Sequence, residues 1–171
     1  MLRRRLIVLG LAFAVWSVLV PLPASAHSRP FIWPTRGRIT QGFGCTGFYL
    51  EPRYRDCAHF HYGLDIANSR GTPIYASARG VVTIAGWDPW IRHDPDWMVL
   101  IKHPDGFQTM YAHLQIHLAP GIHKGAHVRQ GQLLGWMGST GRSTGPHLEW
   151  AVFLRHVPVN PLRFVGGSLR R

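Results

Sequence analysis

Three short stretches carry side chains able to hold a metal ion or move a proton. In His61-Tyr62-Gly63-Leu64-Asp65 an imidazole and a carboxylate stand four residues apart, a common pairing at zinc. Gly63 in the middle argues against a helix and lets the backbone bend so that both groups converge. In His147-Leu148-Glu149, strand alternation puts the outer two residues on one face and Leu148 in the core, so that two ligands or acid/base groups share one space. His113 closes the run from residue 107 to 113, where alternation predicts that Phe107, Thr109, Tyr111 and His113 share one face.

The elements that must position these groups read as strands. Residues 38–43 form a first strand ending at Gly44, and residues 74–85 are rich in β-branched side chains and interrupted at Gly80. Residues 97–103 and 107–113 are two strand-like runs joined by Pro104-Asp105-Gly106, which is hairpin chemistry. Residues 125–138 are punctuated by glycines, as a small curled sheet requires. The loop of residues 138–146 is rich in Gly, Ser and Thr and leads into the last clear strand, residues 147–154. No segment has a sustained 3.6-residue period or a cap-to-cap helix signature. The expected fold is therefore all-β, one compact antiparallel domain.

The N-terminus reads as an export signal: Arg3, Arg4 and Arg5, an apolar run over residues 6–20, and Ala24-Ser25-Ala26 as a cleavage site. The run is short for a membrane span, so a cleaved peptide over residues 1–26 is expected, with an uncleaved anchor as the alternative. A leader over 27–37, a β domain over 38–165 and a basic tail over 166–171 complete the division. Without the signal, sixteen Lys and Arg stand against eight acids, a net charge of +8, and only Lys102 and Lys124 are lysines. A basic exported domain suits an anionic polymer, to which charge raises encounter rates. Export also points to a disulfide between the only two cysteines, Cys45 and Cys57, contributing on the order of 3 kcal/mol.

Two other readings fail on context. Gly141-Arg142-Ser143-Thr144-Gly145 fits a nucleophile-elbow pattern, but such an elbow needs a helix after it, and Pro146 and a strand follow. Nucleic-acid binding rests on charge alone, with no recognisable motif.

The order of motifs is more telling than any one of them. H-x-G-x-D (His61, Gly63, Asp65), G-T-P-I (residues 71–74), G-V-V (80–82), Y-A-H-L (111–114) and S-T-G-P-H-L (143–148) closely resemble the lysostaphin-like zinc peptidases. The likeness runs over residues 39–164. It implies an antiparallel β-sheet core with an open groove, walled by long loops, that cuts peptide bonds in bacterial peptidoglycan. It implies one Zn²⁺ held by His61 and Asp65, with His113 and His147 as catalytic histidines outside the ligand set. Where the family has H-L-H, this chain has His147-Leu148-Glu149, so the third ligand position falls on Glu149.

A Glu carboxylate ligates zinc, but two carboxylates cancel the charge of the ion. A formally neutral centre is a weaker Lewis acid, and more oxygen donors shift preference toward harder divalent ions. His59, two residues before His61, is a spare imidazole for the same set. The expectation is a secreted or cell-envelope metallo-endopeptidase, in periplasm or cell wall. It is monomeric, has no membrane span after cleavage and no nucleic-acid partner, and acts on stem or cross-bridge peptides. The second reading is a catalytically silent relative that binds peptidoglycan or activates a partner hydrolase through the same groove.

Overall fold

The computed structural model describes residues 30–170; the signal reading of residues 1–26 lies outside them. Thirteen strands and one 3-10 turn (Pro161–Arg163) make up the regular structure. The main sheet contains β1 (Arg38–Gln41), β4 (Gly63–Ala67), β6 (Gly80–Trp87), β7 (Trp97–Lys102), β8 (Phe107–Ala112), β10 (His127–Val128), β12 (His147–Leu154) and β13 (Val157–Val159). Its order is β1-β4-β12-β8-β7-β6-β10, with β13 also paired to β12, and every pairing is antiparallel. A three-stranded sheet has β11 (Leu133–Met137) between β5 (Pro73–Tyr75) and β9 (Leu114–Leu118), and β2 (Gly44–Cys45) pairs with β3 (Phe60–His61).

Alternation along the central strands divides the main sheet into a core face and a groove face. Leu64 and Ile66 of β4, Tyr111 of β8, Val99 and Ile101 of β7, and Leu148, Trp150 and Val152 of β12 are buried in one cluster. The same cluster holds Ile74, Leu114, Leu134 and Met137 of the smaller sheet, so the core lies between the two sheets. On the opposite face Met98, Leu100 and Ala112 form a second apolar cluster. β7 is buried on both faces, which explains its unbroken apolar run Met98-Val99-Leu100-Ile101.

The last long strand spans the expected residues, 147–154, and the hairpin of β7 and β8 turns at residues 103–106. Two short strands, β9 and β13, escape the sequence reading, as does the division of residues 74–85 into β5 and β6. Residues 30–37 join the packed body. Phe31 is buried and makes edge-on contacts with Phe107 and Trp150, and the Phe31 carbonyl accepts from the Gly166 N–H. Gly37 N–H donates to the Arg170 carbonyl, so the basic end returns to the same edge. Cys45 and Cys57 form the disulfide.

Gly63 has a packing role in addition to its place in the motif. A Cβ there would lie 2.5 Å from the Trp150 carbonyl oxygen and 3.0 Å from the Ala151 nitrogen, so only glycine lets β4 and β12 close at this point. Gly63→Ala is expected to destabilise by about 1–3 kcal/mol, whereas Gly47→Ala, where a Cβ meets nothing within 4 Å, should stay within about 0.5 kcal/mol. Urea denaturation of the two variants checks this, and equal midpoints would contradict it.

Candidate active site

The register of β4 and β12 builds the centre of the site. Asp65 pairs with Glu149 and Ala67 with His147. Alternation turns all of them onto the groove face while Leu64, Ile66, Leu148 and Trp150 enter the core. On the other side Glu149 pairs with Ala112, which places His113, the next residue, beside it. Strand alternation does not deliver His113. It would send the side chain to the core face with Tyr111, but His113 has φ +60°, and this left-handed residue just past β8 turns the imidazole to the groove side. The expected sharing of a face by Phe107, Thr109, Tyr111 and His113 is thus corrected at its last member.

All five expected site residues come together. His61 Nε2 lies 3.1 Å from Asp65 Oδ1 and 3.7 Å from Glu149 Oε1. His113 Nε2 lies 3.5 Å from Glu149 Oε2, and His147 Nε2 lies 3.7 Å from Asp65 Oδ1. The His113 and His147 ring centroids are 4.5 Å apart. His59 is not part of this set: its Nδ1 donates to the Glu51 carbonyl at 3.1 Å.

Each of the three central imidazoles is oriented in the same way. Nδ1 of His61 donates to the Gly42 carbonyl (3.1 Å), Nδ1 of His113 to Thr140 (2.7 Å) and Nδ1 of His147 to Gly145 (2.8 Å). A backbone carbonyl can only accept, so the Nδ1 proton is fixed and Nε2 is the atom that faces the carboxylates, open to a proton or a metal ion. Two of these carbonyls belong to the Gly/Ser/Thr-rich loop. That loop is locked by Thr140 Oγ1, which donates to the Leu114 carbonyl and accepts from Trp97 N–H. Ser143 is tied to Ser139 and to the Gly145 carbonyl, a local brace with no helix after it.

The donor set meets a test of chemistry for a divalent cation. Asp65 Oδ1 is buried and has no hydrogen-bond partner, although His61 Nε2 is 3.1 Å away. With Nδ1 committed to Gly42, lone pair faces lone pair across that gap, an arrangement that requires a proton or a metal ion between them. Donors of a tetrahedral zinc lie roughly 3.3–3.6 Å from one another when each is about 2.0–2.2 Å from the ion, and the separations of 3.1 and 3.7 Å bracket that range. The donors have not converged on one point: among the described residues no three His, Cys, Asp or Glu side chains already surround a common centre.

Electrostatics give the same picture. Burial by itself would lower the pKa of His61, but the adjoining Asp65 carboxylate and the Glu149 charge raise it to about 9. Burial likewise opposes protonation of His113, and Glu149 and Asp96 outweigh it, again to about 9. Burial pushes Glu149 up, yet the three imidazoles pull it below the ordinary carboxylate range. Glu51 and Asp96 are raised, chiefly by burial. Neither stood out in the sequence, since both sit in irregular segments with no motif around them. Asp96 is 6% exposed, and Gly141 packs on it: a Cβ at Gly141, φ +69°, would lie 2.6 Å from Asp96 Oδ1.

The groove continues away from these residues. Phe48, Leu50 and Pro52 of the disulfide-closed loop line it together with Trp90 and Ile91 of the residue 88–96 loop, as the aromatic content of both loops suggests.

Comparison with known proteins follows the geometry. Residues 59–161 match peptidase family M23. The chain is 38% identical over 142 residues to the DD-carboxypeptidase/endopeptidase Mpg of Neisseria meningitidis serogroup B, covering 74% of this chain and 30% of that protein. It is 39% identical over 103 residues to the peptidoglycan DD-endopeptidase ShyA of Vibrio cholerae, covering 60% and 22%. This chain therefore spans less than a third of either relative. A zinc-containing peptidase from Vibrio cholerae superposes with a TM-score of 0.62 at 28% identity, over 83% of this chain and 40% of the other.

In protein freed of metal by chelation, His61 and His113 have folded pKa values above the ordinary 6.5. Their contribution to stability is full below about pH 6.5 and is lost as pH rises through about 9. The lowered pKa of Glu149 acts in the other direction, adding stability that is present above about pH 4.5 and lost on further acidification. The Tm of chelated protein should therefore fall from about pH 7 to about pH 10, and Glu149→Gln should flatten that slope. Melting curves independent of pH over this range would refute the coupling.

Proposed function

This chain belongs to peptidase family M23, and from that membership and the geometry of its site we propose an exported metal-dependent endopeptidase that hydrolyses peptide bonds of bacterial peptidoglycan. The observation that carries the reading is the set of three imidazoles, each tied at Nδ1 to a backbone carbonyl, whose Nε2 atoms converge on Asp65 and Glu149. His61, Asp65 and Glu149 would hold the cation, zinc or another divalent ion. When bound, it supplies Lewis-acid polarisation of a carbonyl and acidifies water.

The chain's own residues supply the rest. His113 and His147 have rings 4.5 Å apart and Nε2 atoms facing the carboxylates, so both reach one small volume. One imidazole accepts the proton of the attacking water at a free Nε2, and the other, protonated at Nε2 as well as Nδ1, donates to the developing oxyanion. The Thr140 and Gly145 carbonyls keep these rings from rotating as charge moves through them. The apolar groove positions a peptide chain across the site and excludes water. Peptidoglycan as substrate follows from the relatives, one of them a peptidoglycan DD-endopeptidase, and from a net positive charge suited to a wall polymer. The charged start followed by an apolar run supports export; among the described residues no helix is long and apolar enough to cross a membrane.

A second reading has its own observation. Glu149 lies within 3.7 Å of two imidazoles and together with Asp65 balances both in protonated form without a metal, which would suit a silent relative that only binds wall material. Metal content and wall digestion separate the two. The enzyme reading expects stoichiometric divalent metal and turnover in the wild type. His113→Ala and His147→Ala should each lose about 10²–10⁴-fold in rate with metal retained, while Asp65→Asn loses metal and activity together. Activity appearing only in Glu149→His would establish the silent reading for the natural chain.

A further inference from the structure

Outside the cation and proton-transfer sets, the groove contains an acid, Glu51, that is held in place without an ion-pair partner. Glu51 is half-buried and lines the groove beside His61, Asp65 and Glu149. Gln41 Nε2 donates to its Oε1 at 2.7 Å. The loop that carries it is fixed by the Cys45–Cys57 disulfide, by His59 Nδ1 on the Glu51 carbonyl at 3.1 Å, and by backbone bonds from Thr46 to His59 and from Phe60 to Pro52, both 2.9 Å. The carboxylate is therefore presented by a braced loop rather than a mobile one. Among the described residues Oε2 has no hydrogen-bond donor, and no Lys, Arg or His nitrogen forms an ion pair with Glu51.

The surroundings favour a positive occupant. Asp65 and Glu149 are balanced by the imidazoles or the cation they face, which leaves Glu51, Asp88 and Asp96 against Arg142, the only Lys or Arg of the groove lining. A concave site with apolar walls focuses that negative field. The carboxylate of Glu51 is half-buried and no ion pair balances its charge. A neutral N–H donor would leave this charge uncompensated, whereas an ammonium both bonds to Oε2 and balances it. Phe48, Leu50 and Trp90 lie on the same groove and offer apolar area for an alkyl stem, with Trp90 65% exposed.

We propose that Glu51, oriented by Gln41, is a specificity-determining residue that receives a primary ammonium of the substrate, so that the groove selects wall peptides with a free amine near the bond cut. This rests on the peptidase reading above for the identity of the ligand as a peptide, not on turnover.

The test uses the full chain and two probes: a stem-type peptide bearing one lysine side-chain amine, and the same peptide acetylated on that amine. Calorimetry reads binding, and product formation is followed in parallel. Wild type should bind the amine form about tenfold more tightly. Glu51→Gln, nearly isosteric, should bring the ratio close to one while affinity for the acetylated peptide stays unchanged, which also reports correct folding. Gln41→Ala should reduce the ratio part of the way. Equal binding of both peptides by wild type, no binding of either, or a ratio that survives in Glu51→Gln overturns the proposal. Selective binding without any turnover supports it while overturning the hydrolase reading, so the two failures are distinct.

Discussion

Everything at the centre of this groove depends on three N–H to carbonyl bonds. An imidazole free to flip offers either nitrogen as donor or acceptor, and a site built from such rings has no defined charge pattern. Here the Gly42, Thr140 and Gly145 carbonyls each take the Nδ1 proton, so three Nε2 atoms face two carboxylates. The carbonyls come from a turn after β1 and from one loop that is itself tied to β9 and β7 through Thr140. Unlocking that loop would release His113 and His147 together, although neither lies in it.

Charge sets the second constraint. Two carboxylates among three imidazoles in a partly buried pocket can be neutral overall in two ways: with protons on His61 and His113, or with a divalent cation and neutral rings. Competition between these states makes cation affinity fall as protons are added. Glu149 weights the competition in both directions. It is an anionic oxygen donor for a metal, and it is also the carboxylate that most strengthens protonation of His113. A histidine at this position would do only the first, without anionic charge. The second carboxylate thus costs the centre Lewis acidity and stabilises the metal-free state at the same time.

Much of the centre was legible because strands have period two. His147 and Glu149 share a face and Leu148 does not, which follows from alternation once residues 147–154 are recognised as a strand; the register that pairs Asp65 with Glu149 does not follow from it. His113 was legible as a residue but not as a direction, since nothing in Tyr111-Ala112-His113-Leu114 announces a φ of +60°. Tertiary context imposes it, with Leu114 buried in the core and β9 departing toward the other sheet. Glu51 and Asp96 escaped notice for a different reason. They come from irregular segments, where no periodicity relates sequence position to spatial direction, and only the disulfide, the Gln41 bond and the close approach of Gly141 bring them to the groove. The short strands β9 and β13 escaped because five and three residues beside a turn carry too little pattern.

This division has a physical logic. The groups that must keep sub-ångström relations stand on the neighbouring strands β4 and β12 of the main sheet, on β3 just before β4, or on the residue that follows β8. Packing against Trp150, Leu64 and Ile66 leaves those positions no freedom. Groups that meet the rest of a long substrate stand on the two flanking loops, where sequence can vary without disturbing the core. The exchange of an expected histidine for Glu149 is unusual because it falls on the rigid part. β12 is hydrogen-bonded to both neighbours at this residue, so the backbone cannot move to suit a different donor. The side chain alone must reach, and a glutamate's extra rotatable bond lets its two oxygens address His61 and His113 at once, which a histidine ring in the same place could not do with a single free nitrogen.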